Sequence, residues 1–129
     1  MLVDIANSIF DYLQFTADFP SLHTSGWMPL LDLEVRIASD LSVDYRFYSK
    51  PCSSQYVMMK NSAMPARTKM SSLTQEAVRR LRNTRATLPW QDNQAPILTD
   101  FARKMARSGY NEAYREVVIK LEWQAMKNN

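Results

Sequence analysis

The fold of this chain is decided by two neighbouring stretches, LDLEVRI at residues 31–37 and VDYRFYSKPC at residues 43–52. In the first stretch apolar residues alternate with charged ones, which is typical of a strand with one buried face. Val43, Tyr45 and Phe47 continue this alternation in the second stretch. Because a short polar link joins the two, they predict a β-hairpin. Pro51 ends the second strand, since proline has no N–H to donate to a sheet.

The segments on either side of the hairpin have different patterns. Upstream, apolar residues at helical spacing predict an amphipathic helix over residues 2–13, and residues 14–19 are predicted to be extended. Downstream, residues 52–64 predict an irregular connector rich in Ser and Met. Pro65 is then placed to begin a helix, with a capping-box pattern at residues 72–75 as an alternative start.

Four residues predict the limits of the remaining helices. Pro89 ends the first, Pro96 opens the second, Gly109 stops it and Asn111 caps the third. The predicted fold class is therefore α+β: an N-terminal helix, a small antiparallel β part made of the hairpin plus one strand, and a three-helix bundle. The predicted organisation is a β-containing segment at 1–51, a connector at 52–64 and a helical domain at 65–126.

Composition limits the class of protein. A chain of 129 residues with 46% apolar content is large enough for a modest core. The single cysteine excludes an internal disulfide and a multi-cysteine zinc site, and it fits a reducing compartment. No apolar run reaches the ~20 residues of a membrane span. We expect an intracellular protein, in the nucleus or the cytoplasm, with no membrane partner and no cofactor.

Charge is unevenly distributed along the chain. Residues 1–60 contain 4 Lys/Arg and 7 Asp/Glu, whereas residues 61–129 contain 12 Lys/Arg and 6 Asp/Glu. A basic second half suits a polyanionic partner, and a well-solvated helical surface is the alternative interpretation.

Candidate catalytic groups are few. Asp32 and Glu34 are two residues apart on a predicted strand, so both project from one face and could hold Mg²⁺. Strand alternation alone also explains them as a solvent-facing pair, and the sequence contains no Asp-Asp dipeptide for two-metal nucleotidyl transfer. His23 has no orienting acid evident nearby, and Cys52 follows Lys50 without a second catalytic partner. We therefore predict no catalytic and no metal-ligating residue.

The strongest functional signal is a basic helix beside aromatic residues. Several arginines crowd the segment after Pro65 against one acid, Glu76. Such a helix can dock on a core and offer its cations to phosphates, while a ring such as Tyr48 can stack on a base or pack in the core. The residues predicted to contact nucleic acid are Tyr48, Lys50, Arg67, Lys69, Arg79, Arg80, Arg82 and Arg85.

An ordered set of segments resembles the palm-end and thumb region of the reverse transcriptase of Penelope-like and related animal retroelements. The set covers most of the chain and consists of residues 6–9, 13–16, 28–35, 45–51 and 61–65, Lys69, the run at 79–85, and residues 108–110. The resemblance implies that the hairpin corresponds to a primer grip. It also implies that the helices after Pro65 correspond to a thumb, which some descriptions class as helix-turn-helix-like.

The same resemblance implies what the chain is expected not to do. The catalytic Tyr-x-Asp-Asp of that family lies upstream of the matching region, so we expect a fragment of an RNA-directed DNA polymerase that is not an enzyme by itself. Its expected partner is the backbone of an RNA–DNA or DNA duplex, with the missing polymerase segment as a further partner. Two alternatives remain: an active enzyme completed by another chain, and a helical DNA-binding or protein-interaction module.

Overall fold

The computed structural model describes residues 2–127, with side chains described for residues 2–125. It confirms the predicted α+β class: an N-terminal helix precedes a three-stranded antiparallel sheet and then three helices. The elements are α1 (Leu2–Asn7), β1 (Met28–Leu30), β2 (Leu33–Ile37), β3 (Val43–Phe47), α2 (Ala66–Arg82), α3 (Trp90–Arg107) and α4 (Glu112–Lys127), with one 3₁₀ turn at Pro20–Leu22.

The strand order of the sheet is β1-β2-β3, and β2 and β3 form the predicted hairpin, in which Val35 lies opposite Tyr45. The prediction that its first strand begins at Leu31 is wrong. Leu30 pairs with Leu33, so Leu31 and Asp32 form the tight turn between β1 and β2, and Leu31 has a positive φ of 58°. This turn brings the Asp32 carbonyl to the Tyr48 N–H, which donates to it at 2.9 Å.

The link between β2 and β3 places Leu41 in a strained backbone conformation, with φ 65° and an exposed side chain. An L-residue with a side chain pays for this left-handed region, whereas glycine does not. Leu41→Gly should relieve this strain, but glycine loses more chain entropy on folding, which opposes the gain. We therefore expect the free energy of unfolding to stay unchanged or to rise by up to about 1 kcal/mol. Urea unfolding measures this change, and Leu41→Val, which places a β-branched side chain at the same positive φ, should be destabilised instead.

The N-terminal predictions were too regular. The predicted helix over residues 2–13 ends at Asn7, because the Asn7 side chain bonds both backbone polar groups of Phe15 and the Ser8 hydroxyl bonds the Ile5 carbonyl. Such local bonds compete with helix continuation. Residues 14–19 form no strand with any described residue, and the third strand is instead β1 at Met28–Leu30.

The helix limits were predicted in part. Pro65 precedes α2, which runs without a restart through the capping-box pattern at 72–75. Pro96 does not open α3 but lies inside it, because the helix already begins after Pro89. The C-terminal limit is as predicted: Gly109 has φ 94°, a conformation that suits glycine after a helix. Asn111 accepts a hydrogen bond from the Tyr114 N–H at 2.9 Å and so caps α4.

The buried core lies within the helical part. It is formed by Leu73, Ala77, Phe101, Met105, Tyr110 and Val118. One acid shares this interior: Glu122 of α4 is 1% exposed, and neither carboxylate oxygen has a hydrogen-bond partner among the described residues. The core thus fixes α2 and α3. These two helices carry Arg67, Lys69, Arg79, Arg80, Arg82 and Lys104.

Two sets of hydrogen bonds attach the rest of the chain to the helices. The segment after α2 lies along the outer edge of β3, where Arg85 N–H donates to the Tyr45 carbonyl at 2.8 Å and Phe47 N–H donates to the Thr84 hydroxyl at 3.0 Å. The connector is held by Ser108, whose hydroxyl accepts from the Val57 N–H at 2.9 Å. The end of β3 is thereby placed beside α2 and α3.

Candidate nucleic-acid interface

An open groove of about 540 Å³ lies where the end of β3, the connector, α2 and α3 meet. Four of the eight residues predicted to contact nucleic acid line it: Tyr48, Lys50, Arg79 and Arg80. The remaining polar and aromatic lining includes Ser49, Ser53, Tyr56 and Lys104. Tyr48 after the hairpin and Arg79 near the end of the basic helix are 31 residues apart in sequence, and both line this one groove.

Arg80 is a buried wall of this groove rather than an exposed cation. Its guanidinium lies between two rings, 4.9 Å from the Phe47 centroid and 4.7 Å from the Phe101 centroid. Its Nε donates to Glu76 at 2.8 Å. Its Nη1 is buried and has no hydrogen-bond partner among the described residues. Arg80 thus joins the β-hairpin to the helical core while one of its nitrogens lacks an acceptor.

Lys104 of α3 is a second buried cation in the groove, with 5% of its side chain exposed. Its ammonium lies 3.5 Å from the Ser49 hydroxyl and 3.6 Å from an Asp100 carboxylate oxygen. Both distances are long for hydrogen bonds to an ammonium group. Asp100 is also 3.7 Å from Arg80, so one carboxylate is shared between two buried cations.

Arg79 occupies the rim of the groove and is half-exposed. It bonds Glu76 within α2 and reaches across to the Asp32 carboxylate in the β1–β2 turn. The hydrogen bond to Glu76 raises the pKa of Arg79 above its ordinary value, although partial desolvation opposes this. Burial alone would raise the pKa of Glu76, but hydrogen bonds from Arg79 and Arg80 outweigh burial and lower it. The cation on the rim is therefore permanently charged and held in position.

Arg67 and Arg82 of α2 are exposed and form no hydrogen bond or ion pair with the described part of the chain. Arg82 lines a second depression, between α2 and α4, which Arg79 also lines. Arg67 lines a third depression further along the same two helices. Arg79 thus connects the groove with a surface that carries two further cations.

Two residues predicted to contact phosphates are used inside the fold. Lys69 is buried, and its ammonium donates to the carbonyls of Lys60 and Ser62, so it fixes the connector. Arg85 donates to the Val43 carbonyl at 2.9 Å and to Asp44 at 3.1 Å, so it fixes β3. Both cations are therefore engaged within the fold, as is the buried guanidinium of Arg80, and none of the three belongs to the surface that could contact a duplex.

The candidate catalytic residues are also placed by the structure. Asp32 and Glu34 do not share a strand face, because Asp32 lies in the turn and pairs with Arg79, whereas Glu34 pairs with Arg46 at 2.7 Å. His23 has an acidic neighbour that the sequence did not reveal, with its Nε2 2.8 Å from Asp18. Over residues 2–127, no group of three His, Cys, Asp or Glu side chains is arranged to hold a metal ion.

No protein-family model, curated protein or solved structure matches this chain. Within the described residues, the helices are too short or too polar for any of them to cross a membrane.

Lys104, the most buried cation in the groove, is absent from the set of residues predicted from the sequence. A signal for it was present: Phe101, Lys104, Met105 and Ser108 recur at helical spacing, so the lysine lies on the apolar face of α3. A charged residue on an apolar face is seldom buried without a specific partner.

Proposed function

We propose that this chain is a nucleic-acid-binding module that grips a duplex by its backbone and is not an enzyme by itself. The resemblance to the palm-end and thumb of Penelope-like reverse transcriptases supplies the partner, an RNA–DNA or DNA duplex. One observation supports the proposal most: Lys50, Arg79 and Arg82 line two adjoining depressions that Arg79 connects. Cations on a continuous surface suit a polyanion, because each phosphate contact releases bound counterions.

The extent of the basic surface also supports a duplex as the ligand. Arg67 and Arg82 are 15 residues apart on α2, a rise of ~22 Å at ~1.5 Å per residue. That length spans several backbone phosphates, which follow each other at ~3.4 Å along the axis of each strand. Tyr48, half-buried at the edge of the groove, is placed to pack against a sugar or base.

Salt dependence tests the duplex proposal. We expect the affinity for a fluorescent RNA–DNA duplex, measured by anisotropy, to fall steeply between about 50 and 200 mM salt. The double variant Arg67→Gln/Arg82→Gln should bind more weakly and should reduce the slope of log K against log salt by about 1–2, since each lost phosphate contact removes about 0.9.

The matched control is Arg103→Gln/Arg107→Gln, which removes the same charge from exposed positions on α3. It should change the slope far less, because neither residue lines the groove or the adjoining depressions. Binding that is independent of salt, or absent even at low salt, would contradict a backbone grip. Equal effects of the two double variants would favour non-specific attraction to net charge.

The remaining polymerase segment is a proposed protein partner, and the exposed Leu2, Ile5 and Phe10 in the N-terminal segment support contact with another polypeptide. Cross-linking of the chain to a supplied palm segment would test it, with Phe10→Asp as the variant expected to lose the contact. An intracellular location fits the single free thiol of Cys52.

A further inference from the structure

We propose that the groove contains a phosphate-binding site whose centre is the ammonium of Lys104, and that it takes the phosphate of one nucleotide. This inference rests on the proposed function only for the choice of a nucleotide. Its physical basis is independent and concerns two cations that are buried without full compensation.

The Lys104 ammonium and Arg80 Nη1 lack close hydrogen-bond acceptors within the described chain. Lys104 is nearly inaccessible, yet its two nearest acceptors, Ser49 and Asp100, are 3.5 and 3.6 Å away. Beside it, Arg80 Nη1 has no acceptor within the described chain and lies 3.7 Å from the same carboxylate. Burying a charge is costly unless it is paired and hydrogen-bonded at close range. An anion in the groove would supply close acceptor oxygens to the Lys104 ammonium and would leave the Asp100 carboxylate to Arg80.

Cations outnumber carboxylates in the lining of the groove. Four cations line the groove, namely Lys50, Arg79, Arg80 and Lys104, against a single carboxylate, that of Asp32. Asp32 is held by Arg79 on the rim, and Glu76 by Arg79 and Arg80 behind the wall. Asp100 lies behind the lining, 3.6 Å from Lys104 and 3.7 Å from Arg80. Four cations therefore face three carboxylates, and the uncompensated positive charge is that of Lys50, in the same groove as Lys104. A multidentate oxyanion such as phosphate suits it, because phosphate offers several acceptors to separate donors.

The rings, hydroxyl groups and volume of the groove suit a nucleotide better than a free phosphate ion. The groove also exposes the rings of Tyr48 and Tyr56, and its hydroxyl groups include Ser49 and Ser53, whose Oγ atoms are 2.7 Å apart. A volume of about 540 Å³ lies in the usual range for small-molecule sites, ~300–1,000 Å³. A phosphate near Lys104 and a base against a tyrosine would fill both parts of the groove.

The test is calorimetric titration of the full chain with adenosine monophosphate, with inorganic phosphate titrated in parallel. We expect both to bind, the nucleotide more tightly, and Lys104→Gln to weaken both at least tenfold. The control is Arg103→Gln, which removes a neighbouring charge on the same helix that also faces Asp100 but lies outside the groove. It should bind both ligands as the parent does.

If Lys104→Gln does not fold, Lys50→Gln tests the same phosphate site. Lys50→Gln changes an exposed residue, so the protein should fold normally, and we expect its affinity for phosphate to fall about threefold or more. Equal affinity of the parent and the Lys50 and Lys104 variants would overturn the site. No binding of either ligand by the folded parent would overturn it as well.

Competition then identifies the source of the phosphate. Displacement of the bound monophosphate by a short single strand or by the duplex would assign the site to a nucleic-acid phosphate, and a lack of displacement would assign it to a free nucleotide. Both results support the site. Salt-dependent duplex binding that Lys104→Gln leaves intact would remove this site and retain the duplex proposal. Monophosphate binding without duplex binding would do the reverse.

Discussion

Glu122→Gln is expected to be more stable than the parent protein by about 3 kcal/mol above pH 8 and equally stable near pH 4. Burial of Glu122 in α4 raises its pKa from 4.5 to about 7. The folded state therefore holds a proton that the unfolded chain releases at lower pH. The stability contributed by this protonated group is full below pH 4.5 and is lost as the pH rises through about 7. At about 1.4 kcal/mol per pH unit, the loss is about 3 kcal/mol.

Urea unfolding of the parent and the variant at a series of pH values measures the effect. The difference between the two curves isolates Glu122, since all other groups titrate alike in both proteins. Glu116→Gln serves as the control, because it changes an exposed acid on the same helix. If the free energies of unfolding of the parent and Glu122→Gln change with pH in parallel, burial does not raise the pKa of Glu122 in solution, and the prediction is wrong.

Phe101→Ala should have the second large effect, a loss of about 3–5 kcal/mol in the free energy of unfolding. Phe101 is fully buried in the helical core, so truncation leaves a cavity there. It also removes one of the two rings that enclose the Arg80 guanidinium. The loss should therefore lie at the upper end of this range, and phosphate binding in the groove should weaken with it.

Phe10→Ala is the matched control, since its ring is 54% exposed and the expected change is within about 0.5 kcal/mol. Urea unfolding of both variants gives the comparison. A small effect of Phe101→Ala would mean that neighbouring core residues such as Leu73 and Met105 can close the cavity. That result would contradict a core centred on this ring.

Local patterns were enough to predict the parts of the fold that depend on neighbours in sequence. The alternation at residues 33–37 and 43–47, the glycine stop at Gly109 and the cap at Asn111 all have local causes. The N-terminal helix was predicted too long, because its apolar stripe meets no core and Asn7 instead bonds Phe15. Pro96 misled because its effect depends on where the helix begins, which Pro89 decides.

The candidate site was only half accessible to sequence reasoning. Counting basic residues located α2 but gave no means of separating the exposed Arg67 and Arg82 from Lys69, whose ammonium holds the connector carbonyls. Helical spacing places Lys104 on the apolar face of α3, but only the folded chain brings it to Ser49, which is 55 residues away in the sequence. Burial of individual cations is a property of packing, and a charge count does not contain it.

The segment that follows α2 also determines how the sheet meets other molecules. Because Arg85 N–H bonds the Tyr45 carbonyl and the Thr84 hydroxyl accepts from Phe47 N–H, the outer edge of β3 is partly covered and less open to a strand from a second chain. The opposite edge is the three-residue β1, and its central Pro29 has no N–H to offer. The small sheet therefore offers few free N–H groups along its two edges, which disfavours growth by added strands and leaves its loops and side chains to make contacts.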